Sequence, residues 1–401
     1  MPAIPAPESS PGSTSALGVA NRTRVLGVLR GRPGDGPEAD DGPPESYAQA
    51  DLARATGLSR ATVSNIVRDL VAAGLVESVP GRGRRGSSVR LSASAGTVAG
   101  VDFGHSHVAV ALGDLTGRVL VEERRRVHAD LEHGEALALA AEMLRGLQEQ
   151  VPTAGALRHA TVGLPAPLID DVVRSSAIFP GWDDVDARAA AVAAFGVPAT
   201  VENDANLGAL AEHKLGVAAG HSSSVFVKIS SGVGAGIVID DRIFHGAWGS
   251  AGEIGHLTLD EQGPLCRCGS RGCLEAYASV GTIQAMMAGQ LPDADLAAIL
   301  DVARQGSVAA RRALEDAGLH LGWALASIVN LLNPAIVVIG GNLAEAGDLL
   351  LEPARTGLRR HALDAVGQTP LAAGSLGSRA SLVGAVLLAA ERTDLAVGSE
   401  G

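Results

Sequence analysis

At 401 residues the chain is too long for one small core, so two or three domains are expected. Hydrophobic residues make up 46% but aromatics only 2%, which leaves Ala, Val, Leu and Ile to build the interior. The net charge of −12 excludes a protein that is basic throughout, yet the first 90 residues hold 11 Arg against 9 acidic residues, a net of +2. A basic module on an acidic body fits nucleic-acid contact confined to one end.

Residues 1–16, rich in Pro and Ser, have neither a basic start nor an apolar run and read as a disordered tail. Residues 17–30 read as a first helix, and 31–46 as a Pro/Gly/acid-rich loop. Within Asp51–Val76, two helices are expected around a turn at Thr56-Gly57-Leu58. Ser59 is placed to cap the second helix. Val63, Ile66, Val67 and Leu70 recur at the spacing of one buried helical face. Arg60, Thr62, Ser64, Asn65 and Arg68 lie between them and are of types that bond phosphates and base edges. LVESV and VRLSA read as strands around the loop GRGRRG, where Arg82, Arg84 and Arg85 would enter a minor groove. Three helices with a two-stranded wing make a winged helix-turn-helix over 17–93, a DNA-binding domain whose partner is a double-stranded operator.

From about Thr97 strands alternate with helices, the texture of an α/β body over 97–393, followed by a disordered tail at 394–401. The halves of the body each open with a strand and a Gly-containing turn, as a distant duplication would. GVDFGHSH (Gly100–His107) ends a strand in a Gly turn that includes Gly104 and Ser106, with Asp102 before it. GVGAG, with Gly232 and Gly234, is a second Gly-rich turn after SVFVKIS. Paired turns of this kind cradle phosphates through backbone N–H groups. Asp204 in VENDAN follows a strand, and its spacing leaves open a general base for a sugar hydroxyl or a helix N-cap. Glu253, His256 and Glu275 suit vicinal hydroxyls. Cys266, Cys268 and Cys273, with His256 upstream, form a Cys3His set expected to hold structural zinc in a knuckle over 256–275. Clustered cysteines of this kind imply a reducing compartment, the cytoplasm. The most apolar stretch, Leu321–Ile339, is broken by Asn330, Asn333 and Pro334 and reads as a buried helix and strand, with no membrane span.

Taken together, GEIGH…CRCGSRGCLE, VENDANLGALAE, GLPAP, PGW and NPAIVVIGGNL resemble the ROK family (repressor, open reading frame, kinase) over about residues 17–393. The resemblance implies two actin/hexokinase-like, ribonuclease H-like lobes with the ligand in the cleft. It implies that Asn203, Asp204, Glu253, His256 and Glu275 hold a sugar, that Asp204 is the catalytic base where the member is a kinase, and that Gly340-Gly341 approaches the adenosine. It also implies zinc on His256, Cys266, Cys268 and Cys273. Family kinases resemble D-x-G-G-T-K at the first phosphate loop, where this chain has His105 for the second Gly and His107 for the Lys, so His105 should crowd a phosphate. At the second loop a Gly-Thr-Gly run is replaced by Ser230-Ser231-Gly232. A sugar grip kept beside altered ATP loops, behind a winged helix, describes a sugar-sensing repressor. Its effector would be a sugar or sugar phosphate, and it would act as a homodimer or homotetramer. The alternative is an ATP- and Mg2+-dependent sugar kinase with an appended DNA-binding module.

Overall fold

The structure, a computed structural model, describes residues 14–31, 46–79, 88–128, 131–174 and 180–395. The first helix, Thr14–Arg30, starts three residues before its expected start at residue 17. Gln49–Thr56 and Arg60–Ala72 follow, and the turn between them is made by Gly57 at φ 69°, a conformation cheap only for glycine. Ser59 caps the second helix as expected: its Oγ accepts from the Thr62 N–H at 3.1 Å. The wing strands Val76–Val79 and Ser88–Leu91 pair antiparallel, and a short strand, Tyr47–Ala48, adds a third to their sheet, where two were expected. The loop expected at 31–46 and the wing arginines Arg82, Arg84 and Arg85 fall, but for the loop's two ends, outside the described residues.

The body holds two five-stranded sheets of the same topology. In each, three strands run as an antiparallel meander, and two more are added in parallel on the far side of the first. The first sheet comprises Thr97–Gly104, His107–Asp114, Val119–Arg126, Leu157–Leu164 and Ala199–Asn203. The second comprises Ser223–Ile229, Val233–Ile239, Arg242–Ile243, Ile336–Gly340 and Leu371–Ala373. Parallel additions need crossovers that cover a face with helix. His133–Gln150 covers one face of the first sheet, and Val308–Leu332 with Asp348–His361 cover one face of the second.

The inner faces are covered by two helices that pack on each other, Asp204–Lys214 and Ala380–Arg392. Gly384 lies against the Leu207 carbonyl so closely that a Cβ would come within 1.9 Å of its oxygen. The segment read as a second Gly-rich turn departs from expectation: only Ser230-Ser231-Gly232 turn, while Gly234 and Gly236 lie inside the strand Val233–Ile239. Their smallness serves packing, since a Cβ on Gly236 would meet the Ala205 carbonyl oxygen and the Ala209 Cβ at 2.5 Å each.

The winged helix has no separate core. Val25, Leu26, Leu29, Val63 and Leu70 are continuous with Val98, Ala109, Leu382, Val386 and Ala389 of the body. Of the tail expected at 394–401, Asp394 and Leu395 are described, and Leu395 is buried in this cluster at 3% exposure. We predict that Gly236→Ala destabilises the chain by about 1–3 kcal/mol and moves the helix that begins at Asp204. Denaturant unfolding together with ligand titration measures both effects.

Candidate functional site

Arg60, Thr62, Ser64, Asn65 and Arg68 line one side of Arg60–Ala72 while Val63, Ile66, Val67 and Leu70 are buried on the other. Arg60, Asn65 and Arg68 are exposed, and Arg68 Nη2 donates to Asn65 Oδ1 at 2.6 Å, which sets the two side chains as one polar unit. The Thr62 hydroxyl is within 2.8 Å of Ser59 Oγ, so part of its bonding capacity goes to the cap.

Between the lobes lies a cleft of about 450 Å³, lined among others by Asp102, Gly104, Ser106, Asp204, Lys228 and Gly341. A narrower cavity of about 70 Å³ continues from it, and Asn203, Asp204, Gly232, Gly234, Glu253, His256 and Glu275 all line it. The expected sugar-holding residues thus come together from three separate segments. Gly340 does not face the cleft; a Cβ there would lie 2.3 Å from the Phe226 ring, so this glycine makes room for a core aromatic.

Asp204 is the first residue of its helix, and the cap is Asn203, whose Oδ1 accepts from the N–H groups of Ala205 (2.9 Å) and Asn206 (3.3 Å). The N-cap is therefore Asn203, and Asp204 is the first residue inside the helix. Lys228 Nζ donates to Asp204 Oδ2 at 2.8 Å and to Ser381 Oγ at 2.9 Å, and stands 3.9 Å from Asp102 Oδ1. Asp102 Oδ2 is hydrogen-bonded to His107 Nε2 at 3.0 Å. Burial disfavours the charged Asp102, but Lys228 and His107 outweigh it and hold the carboxyl at about 2. Burial likewise opposes the Lys228 charge, and the Asp102 and Asp204 carboxylates overcome it and raise the ammonium above its usual range.

At the turn expected to cradle phosphate, His105 is exposed and lines the cleft. The His107 ring lies over Gly104, where a Cβ would come within 2.0 Å of it. His107 replaces the expected lysine, and the lysine found nearby comes from Ser223–Ile229 in the other lobe. Lys228 and Ser381 were missed by sequence reasoning. The signal was available for Lys228: it is one of two lysines in the chain and sits among apolar strand residues, where an ammonium needs partners.

Glu275 is buried and already engaged. Arg267 grips it through Nε (2.7 Å) and Nη2 (2.9 Å), and the Val233 N–H donates to its Oε2 at 3.0 Å. A sugar hydroxyl reaching Glu275 must therefore compete with Arg267. Glu253 carries no comparable partner: burial, together with Asp204 and Glu275, pushes it up to about 7.

His256, Cys266, Cys268 and Cys273 present ligand atoms all within 4.8 Å of one another, a set that could hold a metal ion. The Cys266 Sγ–His256 Nδ1 and Cys268 Sγ–Cys273 Sγ separations are both 3.8 Å, close to the edge of about 3.8 Å for a tetrahedron with ligands ~2.3 Å from its centre. With Nδ1 toward the thiols, the His256 ring also lines the cavity. Burial pushes the Cys273 thiol up to about 12, so a cation is what would hold that sulfur as a thiolate at neutral pH.

A winged helix seated on a two-lobed, ribonuclease H-like body with a polar interlobe cleft defines a DNA-binding protein built on a sugar-kinase-like fold. A profile of the ROK family matches residues 98–392 and one of the MarR family residues 21–85; the chain belongs to the ROK family. It is 28% identical over 345 residues to the xylose repressor of Bacillus subtilis (strain 168), covering 84% of this chain and 89% of that protein. It is 31% identical over 333 residues to the DNA-binding transcriptional dual regulator NagC of Escherichia coli (strain K12), covering 78% and 81%. A solved ROK family transcriptional regulator, a homolog of the E. coli MLC protein, superimposes with a TM-score of 0.75 at 26% identity over 93% of this chain and 96% of that one. A ROK family glucokinase from Streptomyces griseus, in complex with glucose and AMPPNP, gives 0.65 at 27% identity over 74% of this chain and all of that one.

The raised Glu253 carries a sign for stability. The folded state holds its proton where the unfolded chain has released it, so stability falls as pH rises from about 4.5 to about 7. We expect Glu253→Gln to remove a pH-dependent loss on the order of 2 kcal/mol across that window. A urea midpoint that tracks the wild type at every pH would contradict it.

Proposed function

We propose that the chain is a sugar-responsive transcription regulator, a repressor, whose effector is a carbohydrate or sugar phosphate in the interlobe cleft. The observation that carries this reading is the double role of Ala380–Arg392. One face, through Leu382, Val386, Ala389 and Ala390, shares a core with Val25, Leu26 and Leu29 of the DNA-binding module. The other, through Val383, Ala385, Leu387 and Leu388, packs on Leu207, Leu210 and Ala211 of the helix that begins at Asp204. Arg30 Nη2 also donates to the Thr393 carbonyl at 2.6 Å. A ligand that moves Asp204 thereby acts on the helix that seats the winged helix, without a flexible link between them.

Bound sugar would be held by Asp204, Glu253 and His256, with Asn203 at the helix start and Glu275 exchanging Arg267 for hydroxyls. Lobe closure around it would change the spacing of two winged helices in a dimer or tetramer, which must match successive turns of a two-fold-related operator. Zinc fits the Cys3His set as a closed structural site. Its place is orientation: Cys266–Cys273 carries Arg267 and leads into Glu275, so the metal fixes the rim of the sugar cavity.

The kinase reading keeps one favourable observation, the carboxylate of Asp204 in the cleft. The residues present do not fit magnesium-ATP: the two carboxylates that would flank the metal are joined by Lys228, and His107 covers Gly104. No ATP turnover is expected with any sugar.

The test is an operator-binding titration of the zinc-loaded full chain against sugars and sugar phosphates, using DNA recovered by genomic selection. One ligand should shift binding at least tenfold, and a panel without effect would end the sensing claim. Arg60→Ala and Asn65→Ala should each weaken operator binding by about 1–3 kcal/mol and leave sugar affinity unchanged. Chelation should release one zinc per chain and lower the thermal midpoint; an unchanged melting curve with bound zinc absent would refute the structural role.

A further inference from the structure

Lys228 lies on the strand Ser223–Ile229, where alternation sends Val225, Val227 and Ile229 into one core and leaves Phe226 and Lys228 on the face toward Asp204. Its cross-strand neighbours are Gly234 on one side and Gly340 on the other, and the Phe226 ring takes the space over Gly340. The ammonium is directed by an ordered set of acceptors. Ser381 Oγ donates to the Asp204 carbonyl at 2.8 Å and so turns a lone pair toward Nζ, while Asp204 Oδ2 accepts at 2.8 Å. Across the cleft, Asp102 Oδ1 is buried and has no hydrogen-bond partner among the described residues; Lys228, 3.9 Å away, is the cation that faces it.

Two carboxylates, Asp102 on one strand of the first sheet and Asp204 directly after another, meeting in a cleft of about 450 Å³, are the oxygen donors from which a divalent ion is coordinated together with phosphate oxygens. An ammonium and a divalent cation cannot both sit between them. We infer that Lys228 is an internal cation standing where a divalent ion would bridge Asp102 and Asp204, and that it determines specificity by excluding the metal–nucleotide complex, so that the cleft takes its ligand metal-free. Arg124 and Arg267 also line the cleft, so a ligand's negative charge has cations to meet without a metal. The inference rests on the reading of the cleft as an effector site, and its test is independent of any effector.

The chain has two lysines, Lys214 and Lys228, so selective 15N-lysine labelling gives a two-signal spectrum of the ammonium groups. On the zinc-loaded full chain, the Lys228 signal should stay protected from solvent exchange at a pH where Lys214 is exchange-broadened, and one equivalent of Mn2+ should leave it unbroadened. Selective bleaching of Lys228 by that equivalent of Mn2+, or exchange as fast as that of Lys214, would overturn the inference. Lys228→Met, with zinc content and operator binding used to verify the fold, should gain one manganese site at least tenfold tighter than any in the wild type. Asp102→Asn in that background should remove the site, and Lys228→Arg, which keeps the cation, should not create it. A folded Lys228→Met that gains no site would equally overturn it, and should this variant not fold, the wild-type spectrum decides alone. Failure of the regulator reading would show elsewhere, as operator binding that no sugar alters.

Discussion

Two buried carboxylates at the cleft would repel, and the Lys228 ammonium, reaching them from the second sheet, offsets that repulsion where the lobes meet. Asp102 belongs to the first sheet, Lys228 to the second, and Asp204 and Ser381 to the two inner helices. One cation therefore ties four elements at a single point. In a low-dielectric site a pair of this kind is costly to break by removing one member, because the remaining charge is left buried. The cluster specifies lobe arrangement as much as it contributes stability.

Around that point the packing depends on small residues. Gly236 lets the helix of Asp204 touch the second sheet, and Gly384 lets the C-terminal helix touch the helix of Asp204. Tight contacts of this kind move as units, since close-packed interiors do not deform continuously. The winged helix is built into the same assembly through Leu382, Val386 and Leu395, so it shares the body's core where an independent domain would carry its own. A change at the cleft and a change at the DNA-binding face are then two readings of one packing arrangement.

At the cavity rim the candidate metal ligands and the cavity lining share residues. The loop that holds Cys266, Cys268 and Cys273 also sets Arg267 on Glu275, and His256 presents one nitrogen to the thiols while its ring faces the cavity. Of the residues expected to hold a sugar, Glu275 is held by Arg267 and Asn203 by its own helix. Recognition by these residues requires exchange of existing bonds for ligand bonds.

The sequence by itself determined the local and the repetitive. The turn at Gly57, the Ser59 cap and the buried stripe of Arg60–Ala72 follow from neighbours a few residues apart. The Cys3His spacing brought its ligands together because most of them lie within one short loop. Tertiary structure decided what depends on distant partners. That Gly234 lies in a strand and that Gly340 accommodates Phe226 are outcomes of packing between segments far apart in the chain. Lys228 marks the division most clearly. Its burial in an apolar strand announced that it needed partners, but the sequence could not name Asp102, Asp204 and Ser381, because Coulomb attraction acts between groups that only the folded chain brings within a few ångströms.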